Sequence, residues 1–225
     1  MKKIQQMFQL QQSLNNATNG INWEQGMTKN NKKIDWRRCI YLEAAELIDS
    51  YPWKHWKNIN ASPDYANIKI EIVDIWHFIM SEALRVYKVN DLGDIKELSE
   101  KAVNLPAYQQ FSDDHHQADL DIYAEMEKVE DMVAVLFAKA DIHQLIDAFF
   151  DMSASLNLKL SELYQLYIGK NILNQFRQDH GYKEGSYIKE WHGLEDNVVM
   201  QKLLNDKSDI TPDELYQGLE KNYPN

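Results

Sequence analysis

Residues 68–80 read IKIEIVDIWHFIM, and this stretch limits the possible folds more than any other. Ile70, Ile72, Val73, Ile75, Trp76 and Phe78 surround Glu71 and Asp74 on nearly every side, a pattern that suits a buried helix rather than a surface one. Inside it Glu71, Asp74 and His77 fall at i, i+3 and i+6 and form one polar stripe. Isolated buried carboxylates cost several kcal/mol each, and two placed close together take up protons instead. The stripe therefore calls for a positive partner.

A second acidic pair lies upstream in YLEAAELIDS, residues 41–50, where Glu43 and Glu46 share one helical face. About 25 residues separate the two pairs, the spacing of a helical hairpin. Taken singly, each pair fits a solvated helix face. Taken together they favour a metal centre, because two facing carboxylate pairs supply the oxygen ligands that Mg2+ prefers and leave positions open for water and substrate phosphates. His77 alone fits a hydrogen-bonded core residue or a neighbour of the ligands better than a ligand. A di-iron bundle would want Glu-x-x-His on two helices. The helix of Glu43 and Glu46 has no His at the matching place, which favours magnesium over iron.

The rest of the chain is helical in character. Only 8 Gly and 5 Pro occur in 225 residues, apolar residues recur at three and four, and no strand alternation or Gly-rich phosphate loop is evident. Helices are expected over about 2–17, from Trp36 to before Pro52, and over 65–87, 119–139, 141–155, 159–179 and 194–205, with a last one after the TPDE start signal. Residues 88–118, polar and broken by Gly93 and Pro106, suit either an insertion of short helices or a mobile segment. No linker divides the chain, so residues 1–225 read as a single all-α domain.

Net charge is −11 and the pI near 5.1, which argues against nucleic-acid binding, since phosphate backbones are held by clustered Lys and Arg. No segment approaches the roughly 20 apolar residues of a membrane span, and glutamines interrupt MKKIQQMFQL where a signal peptide needs an unbroken apolar run. Cys39 is the sole cysteine, which excludes internal disulfides and cysteine-rich zinc sites. The cytoplasm is the expected location.

EAAELIDSYPWKHWKN, then IEIVDIWHF, then YIGKNILNQFRQDHGYKEGSYIKEWHGLEDN resemble the all-α dimeric dUTPases, bacterial type, relatives of the MazG-type nucleotide pyrophosphohydrolases. The likeness spans nearly the whole chain; the acidic pairs indicate only the wider superfamily, and the long C-terminal motif makes it specific. The resemblance implies an all-α helical bundle of the NTP pyrophosphohydrolase type, a homodimer, and hydrolysis of dUTP, with dUDP a further candidate, to dUMP. It implies Glu43, Glu46, Glu71 and Asp74 as Mg2+ ligands, with Glu46 also orienting a metal-activated water.

Lys170, Asn174 and Arg177 stand at i, i+4 and i+7 on one helical face, and GYKEGSY adds Tyr182, Lys183 and Tyr187. In so acidic a chain this local basicity suits a triphosphate clamp, or else an ordinary solvated face. LQQSLNN resembles the family segment whose amides read uracil. Gln12 and Asn15 share a face there, with Gln11 as the alternative to Gln12, and an amide matches the donor and acceptor of the uracil edge. Trp53 walls the base or sugar pocket on this reading, or is simply core, and His77 joins the substrate-binding set. The sequence also allows two rival functions: a broader dNTP pyrophosphatase using the same acidic helices, and a non-catalytic helical protein whose carboxylates hold a structural cation.

Overall fold

The computed structural model describes residues 1–57, 60–207 and 210–224 and is all-α apart from one two-stranded hairpin among them. The chain divides into two compact units, Met1–Leu163 and Tyr164–Asn225, with the boundary inside one helix.

In the first unit α1 (Lys2–Asn19) leads through a 3-10 turn, Trp23–Gln25, to α2 (Trp36–Asp49) and α3 (Tyr65–Val89). Two short helices follow, α4 (Ile95–Val103) and α5 (Pro106–Phe111), then α6 (Ile122–Phe137) and α7 (Ile142–Ser155). The apolar run at 68–80 makes α3 the central element: it packs on α1, α2 and α7. Trp76 is fully enclosed, stacked on Phe149 at 4.8 Å between ring centres and tilted against Phe8 at 5.8 Å. Each such side chain contributes roughly 1.5–3 kcal/mol by leaving water. Asp64 starts α3 by accepting the Asn67 backbone N–H at 3.0 Å.

Residues 88–118 take the short-helix form. Asp94 and Glu97 close a capping box on α4, Pro106 opens α5, and Phe111 stacks on Phe150 at 5.1 Å. The Ala107 backbone N–H donates to Asp147 at 2.8 Å, and Asn157 exchanges two hydrogen bonds with the Ala118 backbone, at 2.9 and 3.0 Å.

The second unit takes most of α8 (Leu160–Asp179), the strands β1 (Glu190–Trp191) and β2 (Leu194–Glu195), α9 (Asp196–Asp206) and α10 (Pro212–Asn222). The strands join through His192 and Gly193, at φ of 54° and 81°, as a tight hairpin turn with two left-handed residues requires. Two residues per strand are too few to show as alternation, which is why the hairpin is absent from the sequence pattern. Gly169 lets α9 approach α8 closely: a Cβ there would come within 2.8 Å of Leu204. Thr211 and Glu214 form the capping box that the TPDE pattern announces.

Candidate active site

The acidic pairs meet where α2 packs on α3. Carboxylate oxygens of Glu43, Glu46 and Glu71 lie within 4.8 Å of one another; Glu71 is buried, Glu43 half-buried and Glu46 exposed. Asp74, half-buried one turn beyond Glu71, belongs to the same electrostatic group. Burial, then the charges of Asp74, Glu71 and Glu46, push the Glu43 carboxyl up to about 8, and its hydrogen bond with Glu71 acts in the same direction. A donor set of carboxylate oxygens alone, repelling one another in partial burial, fits a hard divalent cation.

The link between the helices is tied at its base. Ser50 O accepts the Asp64 N–H at 2.9 Å, and Asn67 Nδ2 donates to Ser50 Oγ at 2.9 Å and to Glu71 Oε1 at 3.1 Å. Beyond Ser50, Lys54 pairs with Asp49 and lies 5.6 Å from the ring centre of Trp53. Trp53 itself is partly exposed and meets Trp56 edge-on at 5.6 Å, so it is a surface aromatic rather than core.

On α1 the structure separates the two glutamines. Gln11 is buried, donates to Asn15 Oδ1 at 3.2 Å and Ser81 Oγ at 3.1 Å, and stands 2.7 Å from His77 Nδ1. Asn15 donates to the same Ser81 hydroxyl at 2.9 Å. Gln12 lies one residue round the helix, where it donates to Asn16 and Glu24, both at 3.0 Å, and borders a cavity of ≈ 270 Å3 with Tyr87 and Leu98. Gln11, Asn15, His77 and Ser81 thus form one polar network inside the first unit, and Gln12 stands outside it.

The α8 face forms in the second unit. Lys170 is buried and donates to Asn197 Oδ1 at 3.0 Å. Arg177 grips the fully buried Asp196 through Nε and Nη2, both at 2.8 Å, and reaches Asn174 Oδ1 at 3.2 Å. Tyr187 donates to Asp196 at 2.8 Å; burial and this carboxylate push its phenol well up. The Arg177 guanidinium lies 5.8 Å from the ring centre of exposed Tyr182, and Lys183 is exposed. Asp196 and Asn197 escaped the sequence reading although both lie in the GLEDN end of the C-terminal motif, because nothing in their spacing names Arg177 or Lys170 as partner.

A family model described as dUTPase matches residues 3–182. The chain belongs to the dUTPase family. The match takes in both acidic pairs, the α1 amides and the α8 face as far as Tyr182, and stops short of Lys183 and Tyr187. As a dUTPase it is a dUTP pyrophosphohydrolase, which turns dUTP into dUMP and pyrophosphate and so limits uracil in DNA. A search of curated proteins returned no match. Among the described residues no helix is long and apolar enough to cross a membrane.

Proposed function

We propose that this dUTPase works with Mg2+ held by Glu43, Glu46, Glu71 and Asp74. The observation that carries the reading is the convergence of carboxylate oxygens of Glu43, Glu46 and Glu71 within 4.8 Å. Bound there, the cation would neutralise phosphate charge and make water a nucleophile at neutral pH. Glu46, the exposed member, is the carboxylate that orients the attacking water and receives its proton. Lys170, Asn174, Arg177, Tyr182, Lys183 and Tyr187 bind the phosphate chain; Gln12, Asn15, Trp53 and His77 bind the nucleoside. The buried hydrogen bond from Gln11 to Asn15, and the Ser81 hydroxyl that both reach, support Gln11 as the partner of Asn15 in that task.

The bond broken in making dUMP joins the α and β phosphates, and dUDP contains the same bond, so it serves as a second substrate and releases phosphate. The protein acts as a cytoplasmic homodimer, each chain of residues 1–225 one dUTPase domain, without nucleic acid or membrane as partner. The net charge of −11 supports the exclusion of nucleic acid.

Product release from dUTP, dCTP and dTTP, measured with Mg2+ and again in chelator, tests the reading. Turnover of dUTP should far exceed that of the other nucleotides and vanish in chelator. Equal rates on dCTP or dTTP would reject the substrate assignment, and full activity in chelator would reject the metal.

A further inference from the structure

The converging carboxylates of Glu43, Glu46 and Glu71, with the Asp74 charge beside them, repel each other, so something other than the cation must hold them in register before it arrives. For Glu71 that holder is visible. Asn67 stands one turn earlier on α3 and donates an amide hydrogen to Glu71 Oε1 at 3.1 Å and the other to Ser50 Oγ at 2.9 Å. Ser50 Oγ in turn donates to Glu46 O at 3.2 Å, so the chain of bonds runs from the backbone of one acidic residue to the side chain of another. The Asn67 backbone is pinned as well: its N–H enters the Asp64 carboxylate at 3.0 Å, and the Asp64 N–H enters Ser50 O at 2.9 Å.

The chemistry of the group matters. An amide brings a donor without a charge, so it can orient Glu71 without cancelling the negative potential that draws a cation, as a lysine in its place would. The reverse amide orientation would set Oδ1 against a carboxylate, so the two acceptors fix which end faces them. One Glu71 oxygen accepts from Asn67, and a carboxylate has further lone pairs to offer an ion.

We infer that Asn67, steadied by Ser50, is a positioning residue that presents Glu71 to the divalent cation. This rests on the metal reading above. Hydrogen-bond partners of metal ligands typically change affinity by about 10–100-fold when removed. The test is Mn2+ binding to the full chain stripped with chelator, followed by electron paramagnetic resonance, with melting curves in chelator alongside. Asn67→Leu removes both donors while keeping the branch at Cγ and the number of side-chain heavy atoms, and should weaken Mn2+ binding about 10–100-fold, with the melting temperature in chelator close to the parent's. Ser50→Ala should weaken binding less, the double variant no more than Asn67→Leu alone, and Asn67→Gln should recover part of the loss.

Mn2+ affinity of Asn67→Leu within about twofold of the parent overturns the inference, since hydrogen-bond partners that orient a metal ligand act well above that level. So does a binding loss that tracks unfolding in chelator while Ser50→Ala binds normally. The metal reading fails separately: a parent protein that binds no Mn2+, or binds it no better than Glu71→Gln does, removes the site itself.

Discussion

Glu46 and Asp74 carry the sharpest test at the level of single residues. Glu46 is exposed and Asp74 half-buried, so neither change leaves a large cavity or an orphaned buried charge. Glu46→Gln and Asp74→Asn each remove one negative charge from a self-repelling group while keeping side-chain shape. Turnover of dUTP should fall about 10²–10⁴-fold, the usual worth of a positioned acid or base, while the melting temperature in chelator holds or rises. Steady-state kinetics and a thermal melt decide it; either variant retaining full activity would remove that carboxylate from the mechanism. Gln11 teaches a related lesson, since it and Gln12 differ by one position in sequence yet one is enclosed with Asn15 and Ser81 and the other turned to Glu24.

Among the elements, α8 and α9 are joined by a buried ion pair that no helical pattern announces. Burial works against the Asp196 charge, but the Arg177 guanidinium and the Tyr187 hydroxyl outweigh it and hold the carboxyl below its usual range. Asp196→Ala leaves the Arg177 charge, itself largely enclosed, without its bidentate acceptor. The expected cost is about 3–5 kcal/mol, the range for breaking one side of a buried pair, read from urea unfolding by circular dichroism. A loss below about 1 kcal/mol would make the pair worth no more than a surface contact. The α2–α3 pair behaves differently: its apolar faces drive the association, and the carboxylates come together at an electrostatic cost that a bound cation would offset.

At the scale of the whole molecule, that cost should appear in global stability. Burial and its acidic neighbours push the Glu43 carboxyl up to about 8 in the folded protein, against 4.5 as its reference, so without a bound cation the folded state holds more protons than the unfolded one between those values. This contribution is fully present below about 4.5 and is lost as pH rises toward 8. In chelator, Glu43→Gln should therefore gain in melting temperature relative to the parent between pH 5 and pH 8, and Mg2+ should stabilise the parent more at pH 8 than at pH 5. A parent whose melting curve ignores Mg2+ at both values would argue against a shared ion. The amino-acid sequence by itself determined the helices and the acidic pairs, because helix formation and i, i+3 proximity depend on neighbours within a turn or two; Glu43 with Glu46, and Glu71 with Asp74, share faces wherever their helices go. Only the tertiary structure decided that α2 and α3 bring those faces together, that Asn67 reaches Ser50 as well as Glu71, and that Asp196 answers Arg177. Asn67 lies 17 residues from Ser50, and Asp196 lies 19 from Arg177. What selects such partners is the packing of apolar surfaces around Trp76 in one unit and Phe176 in the other, which local spacing does not encode.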